Sequence, residues 1–169
     1  MRRHLLFSTV LLLVSLTPLH ATTVRRLSFD ELVARAQSIV QGRVVDLRTY
    51  WTADQKLILT DYTIQVQETM KGSTPQTVTV TTIGGKIGNT ILHVSGMPAF
   101  EQGENAILFL EKSNTSTTVV GLNQGKFTVS NGEISNTVSG LSFPDGTAGK
   151  PVKMPLDEFK RQVRLRINK

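Results

Sequence analysis

The chain has 169 residues, with 19 Lys and Arg against 13 Asp and Glu, three His and no Cys, for a net charge of +6. That length suits one domain with one substantial core. The missing cysteine excludes disulfide bracing, a thiol nucleophile and lipoprotein anchoring at a cleavage site, and with His93 the only histidine after His20, a zinc site of ordinary His and Cys composition is excluded too.

Residues 1–21 have the three-part layout of a secretory signal peptide. Arg2 and Arg3 form a basic start, Leu5 to Leu16 an apolar stretch, and Ala21 a small residue at the expected cleavage site. The stretch is too short to span a bilayer comfortably. The exported chain is therefore expected to begin near Thr22 and to work in the periplasm or the medium.

The exported part opens with a helix. Ser28 followed by Glu31 is a capping box, and Leu27 and Leu32 stand at the positions of a hydrophobic staple. The helix is predicted to run to about Ala36. From Ile39 to Arg48 the residues are β-branched and extended, with Gly42 marking a bulge or bend. Leu57 to Glu68 alternates, with Tyr62, Ile64 and Val66 on one face, and Thr77 to Ile83 repeats the pattern with Val78 and Val80 inside.

Gly84 to Asn89 is the most glycine-dense segment and is predicted as a loop, followed by a short strand from Ile91 to Val94. Ala106 to Glu111 is continuously apolar up to its last residue, the mark of a strand covered on both faces. Strands are expected at Thr117 to Leu122, Lys126 to Ser130 and Glu133 to Val138, the last two joined by the hairpin signal Asn131-Gly132. The core should include Leu32, Ile39, Val44, Tyr62, Ile64, Val66, Val78, Val80, Ile107, Phe109 and Val129.

A Pro/Gly-rich linker is predicted over 142–153, and a basic helix over 154–169 packed on the body. Its apolar stripe is Leu156, Phe159, Val163 and Ile167, with Asp157 and Glu158 at its positive end and Arg164 and Arg166 at its negative end. The helix is read to about Arg164, because VRLRI also alternates like a strand. Residues 150–169 hold seven basic side chains against two acidic ones, so the excess charge belongs to the tail. Such a run is ordinarily a solvated helix face, and Lys160, Arg161 and Arg164 are its candidates for an anionic partner.

The expected architecture is mainly β: an antiparallel barrel over 22–141 with a helix at each end of the exported chain. Three segments carry a family resemblance: Ile39 to Arg48, Tyr62 to Gly72 ending in Lys-Gly, and Gly103 to Leu110. They resemble the netrin-like family, which includes the tissue inhibitors of metalloproteinases, and cysteine-free secreted bacterial domains with the same Gly-Arg-Val, Lys-Gly, Gly-Glu layout. The resemblance implies an OB-type barrel with flanking helices and an exported location. It implies no inhibitory mechanism: those inhibitors chelate zinc through an amino-terminal cysteine, and this chain has none.

Chemistry is thinly written. His93 and Ser95 would share a strand face, but no G-x-S-x-G elbow accompanies them. Gly84-Gly85-Lys86-Ile87 fails the P-loop pattern at Ile87, and the carboxylates form neither a calcium loop nor a glycosidase pair. No catalytic residue, metal or cofactor is expected. The ligand-binding candidates are Tyr50, Trp51, Lys86 and Asn89, in loops after strands. Trp51 is a contact residue if exposed and a barrel cap if buried. The function expected is a non-catalytic binding module for a protein or extracellular polymer. The alternatives are a steric regulator of an extracellular peptidase and a small secreted hydrolase. Nucleic acid suits neither the compartment nor the near-neutral body.

Overall fold

The structure is a computed structural model that describes residues 24–113, 115–138 and 140–168. The segment expected to be a signal peptide and the new terminus expected at Thr22 lie outside the described residues. Helix α1 (Phe29–Arg35) begins as the sequence demands. Ser28 Oγ accepts from the Glu31 amide at 3.2 Å while a Glu31 carboxylate oxygen accepts from the Ser28 amide at 2.8 Å. Leu27 and Leu32 are both buried, as a staple requires.

Two 14-residue strands, β1 (Ser38–Trp51) and β2 (Ile58–Lys71), form the central antiparallel ribbon. Its register slips at Ile39/Val40, at Gln41/Gly42 and again at Val44/Asp46. Gly42 is required at the second slip: a Cβ there would lie 2.6 Å from both the Gln65 carbonyl oxygen and an Ile64 methyl. Val45 is the extra residue at the third slip and is exposed. Such bulges bend a strand and increase its twist, which lets the first part of β1 serve one sheet region and its far end another.

The remaining strands are β3 (Thr77–Ile83), β4 (Gly85–Ile87), β5 (Thr90–Leu92), β6 (Asn105–Lys112), β7 (Thr117–Val119), β8 (Lys126–Ser130), β9 (Glu133–Ser135) and β10 (Lys153–Pro155). The main sheet runs β10-β9-β8-β6-β1-β2-β3 with β7 also on β6, and β4-β5 is a separate hairpin. The fold is therefore mainly β, with an antiparallel sheet and a helix near each end of the described chain.

Closure differs from the expectation. Among the described residues, no ladder joins β3 to β7 or to β10, so no closed barrel is present. β7 is also short: after three residues, Gly121 adopts φ 65° and turns the chain into a 3-10 helix at Leu122–Gly125. The expected strand Thr117 to Leu122 is cut short there.

β6 divides two cores. Ile107 and Phe109 face a cluster with Leu32, Phe127, Ile134, Phe159 and Val163, beneath both helices. Ala106, Leu108 and Leu110 face a second cluster with Val40, Val44, Tyr62, Ile64 and Val80. This is why β6 is continuously apolar. Of the expected core, Val66, Val78 and Val129 are only half-buried, lying at cluster margins. Phe100 closes the second core against Tyr62, with Lys126 over its ring and paired to Glu104 at 2.9 Å.

Helix α2 (Leu156–Ile167) extends past Arg164, because Phe159 and Val163 bury on one side and carry Ile167 with them, leaving Leu165 exposed. The connector before it is packed rather than loose. Leu141 and Phe143 form a third cluster with Val138, and Lys153 and Met154 pair with β9. No helix among the described residues is long and apolar enough to cross a membrane.

Candidate functional site

Adjacent residues on a strand point to opposite faces, and this separates Tyr50 from Trp51. Tyr50 pairs with Leu59, and its hydroxyl donates to Asp61 Oδ1 at 3.3 Å; Thr81 Oγ1 donates to the same oxygen at 2.7 Å. Partial burial, then the Asp61 charge, raises the Tyr50 pKa. Trp51 pairs with Ile58 on the other face and is 39 % exposed, so it caps no core. Tyr50 and Trp51 do not form one aromatic surface.

The predicted Gly84–Asn89 loop is largely the β4-β5 hairpin. The glycine spacing hides this from a pattern search, but the structure explains it. Gly84 donates to the Ile58 carbonyl at 2.8 Å, its own carbonyl accepts from Thr60 Oγ1 at 2.7 Å, and a Cβ on Gly85 would collide with Thr49 and Thr60. The hairpin thus lies on the end of the β1-β2 ribbon. Lys86 pairs with Ile91, both exposed, and Asn89 is exposed beside the turn glycine Gly88. The structure brings this hairpin to the ribbon end that carries Trp51 and turns Tyr50 away.

The basic tail is committed internally. Lys160 Nζ and Arg164 Nη2 lie 2.7 and 2.8 Å from the two carboxylate oxygens of Glu68, on β2. Those hydrogen bonds, led by that from Lys160, hold the Glu68 pKa below its ordinary value. Arg161 binds Glu158 within its own helix and, with Gln162, pulls that carboxyl down to about 2. Arg166 reaches Asp30 of α1. Lys160, Arg164 and Arg166 thus fasten α2 to the body.

His93 follows β5 rather than lying in a strand, and it is exposed. The Ser95 hydroxyl donates to the Gly140 carbonyl at 2.8 Å. No hydrogen bond joins the two side chains among those of the described residues. Among the same residues, no three His, Asp or Glu side chains are grouped to hold a metal ion.

Two cavities escaped the sequence reading. A pocket of about 240 Å³ lies under the helices, walled by Phe127, Phe159 and Met154, with Arg26 and Lys150 among its lining. Arg26 stacks on Phe143 at 3.9 Å and faces Asp145 at 3.8 Å. The larger is a groove of about 770 Å³ between β3 and the β6-β7 hairpin, with Lys112, Ser113 and Thr115–Thr118 on its far side. Along its near side run Thr77, Thr79 and Thr81, and behind them Tyr50 and Asp61. Tyr50 thus belongs to this groove and not to the Trp51 surface. The groove joins segments distant in sequence, and its one sequence signal is β3 itself, which carries neither charge nor proline. Comparison with family models, with curated proteins and with solved structures finds no match.

Proposed function

We propose that the chain is an exported, non-catalytic binding module that holds a protein or extracellular polymer in the groove beside β3. The observation that carries this reading is the groove itself: about 770 Å³ of space along β3, whose outer edge makes no ladder and faces the β6-β7 hairpin. Ligand sites of this size are usually preformed concavities on rigid elements. The wall is rigid here, since β3 is backed by β2 and by the second core.

An OB-like reading fits the same geometry. β1 is shared by two arms, β1-β2-β3 and β1-β6-β7, whose last strands lie side by side without a ladder. OB-folds are partly open barrels that bind along their exposed sheet. The basic start and apolar stretch before Ala21 support export.

The test is a binding screen of the exported chain against a displayed random decapeptide library and soluble polysaccharides. Ligands retained by the native chain and lost with Thr79→Arg at unchanged melting temperature support the reading. Ligands that survive both Thr79→Arg and Thr117→Arg overturn it. A second reading, steric regulation of a peptidase, draws on the exposed Lys86 and Ile91 of the β4-β5 hairpin. Inhibition of a secreted peptidase that is lost with Ile91→Asp would select it.

A further inference from the structure

We infer that the pocket under the two helices binds a small amphiphilic carboxylate, its alkyl chain inside and its carboxylate at Arg26 and Lys150. This pocket shares no lining residue with the groove beside β3, and the inference does not rest on the groove's being occupied.

The pocket holds about 240 Å³, and its walls come from both helices, from β8 and β10, and from the connector between β9 and β10. An apolar cavity of about 150 Å³ lined by Leu, Ile and Phe stays dry and takes a benzene ring. This pocket is larger, and its inner wall is of the same kind: Leu32, Phe127 and Phe159 are buried there. Phe29, Val152 and Met154 line it too and are only partly buried against the same core. An alkyl chain would cover apolar surface that the fold leaves to water.

The inner wall asks for nothing polar. Gln124 is a buried polar residue of the lining, and its amide is fully used. Its Oε1 accepts from the Leu27 amide at 2.8 Å, and its Nε2 donates to the Arg25 and Gly121 carbonyls, both at 3.1 Å. Among the described residues, no buried side-chain nitrogen or oxygen lacks a partner. The body of the occupant is therefore hydrocarbon.

The mouth has the opposite character. Arg26 and Lys150 line the pocket, and no carboxylate does so among the described residues. The Arg26 side chain is 43 % exposed and Lys150 is exposed, so both cations stand where the pocket meets solvent. The Arg26 guanidinium is held over Phe143 and donates to Thr147 Oγ1. A guanidinium has five N–H donors, so others remain for a ligand. Asp145 at 3.8 Å offsets part of the Arg26 charge. Lys150 joins none of the ion pairs among the described residues. Two cations against one carboxylate leave the mouth positive. Hydrocarbon walls behind a positive mouth select an anion with an apolar tail over a neutral alcohol or a cationic amphiphile.

The experiment titrates the exported chain by calorimetry with octanoate, 1-octanol and octylammonium, each kept below micelle formation. Octanoate should bind one to one and about tenfold tighter than octanol, since only the acid makes charge-assisted hydrogen bonds, with octylammonium the weakest. Lys150→Glu alters an exposed side chain, so the melting temperature should hold while octanoate weakens about tenfold and octanol binds as before. Val152→Trp fills the pocket and should abolish capture of both. Thr79→Arg, in the groove, should alter neither. If Val152→Trp unfolds the protein, Lys150→Glu still decides. Absence of octanoate binding, equal affinity for octanoate and octanol, or indifference to Lys150→Glu overturns the inference. Octanoate binding that survives Val152→Trp, or that is lost with Thr79→Arg, puts the acid elsewhere and also overturns it. None of these failures touches the groove, which stands or falls on its own ligands.

Discussion

The ammonium of Lys71, the last residue of β2, donates to the Val33 carbonyl oxygen of α1 at 2.6 Å and also reaches that of Ala34. A helix C-terminus leaves carbonyls without partners and carries partial negative charge, so a cation there satisfies both needs. Gly72 completes the arrangement: its φ is 76°, and a Cβ would lie on the Gln37 carbonyl oxygen. The Lys-Gly pair thus docks the first helix onto the central ribbon. Lys71→Met should cost about 1 kcal/mol, and Gly72→Ala more, because strain and collision add. Urea unfolding of the two variants checks the order.

Phe109 touches Phe29, Phe127 and Phe159, with ring centroids 5.6–6.3 Å apart, and is fully buried. Phe109→Ala should cost about 3–5 kcal/mol. Val129→Ala, at the margin of the same cluster, should cost clearly less. The comparison by chemical denaturation tests whether this cluster is the main core.

Legibility followed the range of the interactions. The α1 capping box, the alternation of β2 and β3 and the Asn131-Gly132 turn are local, and each was readable. Asn131 and Gly132 indeed take φ values of 51° and 76°. The end of β7 at Gly121, the pairing of β10 and the β4-β5 hairpin depend on what approaches from elsewhere. Gly85 reads as a loop residue because the sequence does not reveal that Thr49 and Thr60 press against it. The Tyr50–Trp51 pair reads as one aromatic site although strand alternation splits it. The groove needs β3 and the segment around Thr117 brought together, and no local pattern records that.

Acid should loosen α2. Glu68 is held below its ordinary pKa of 4.5 by Lys160 and then Arg164. Its folded value is depressed, so the stabilisation is present above the unfolded pKa and is lost as pH falls through the folded one. Melting temperature should drop on going from about pH 5 to about pH 3, and Glu68→Gln should flatten that drop.

The Trp51 surface and the groove make opposite forecasts for one double variant. Trp51 is 39 % exposed and Lys86 is exposed, so Trp51→Ala with Lys86→Ala should leave the melting temperature within a few degrees. Ligand capture should persist in that protein and vanish in Thr79→Arg. The reverse result would move the working surface to the hairpin end.

Export has its own readout. Intact-mass measurement of protein recovered from periplasm or medium should give Thr22, or a neighbour within about two residues, as the first residue. A full-length product confined to the cytosol would refute export.

Because β6 sends successive side chains into two separate clusters, each cluster depends on a wall it does not own. Melting the helices away from Phe109 would loosen the strand that also carries Leu108, and opening the second cluster would strip support from the first. Neither half can persist as a partly folded intermediate under mild denaturant. Fluorescence from Trp51, near the ribbon end, and far-ultraviolet dichroism should therefore trace one coincident transition. Limited proteolysis should release no stable fragment.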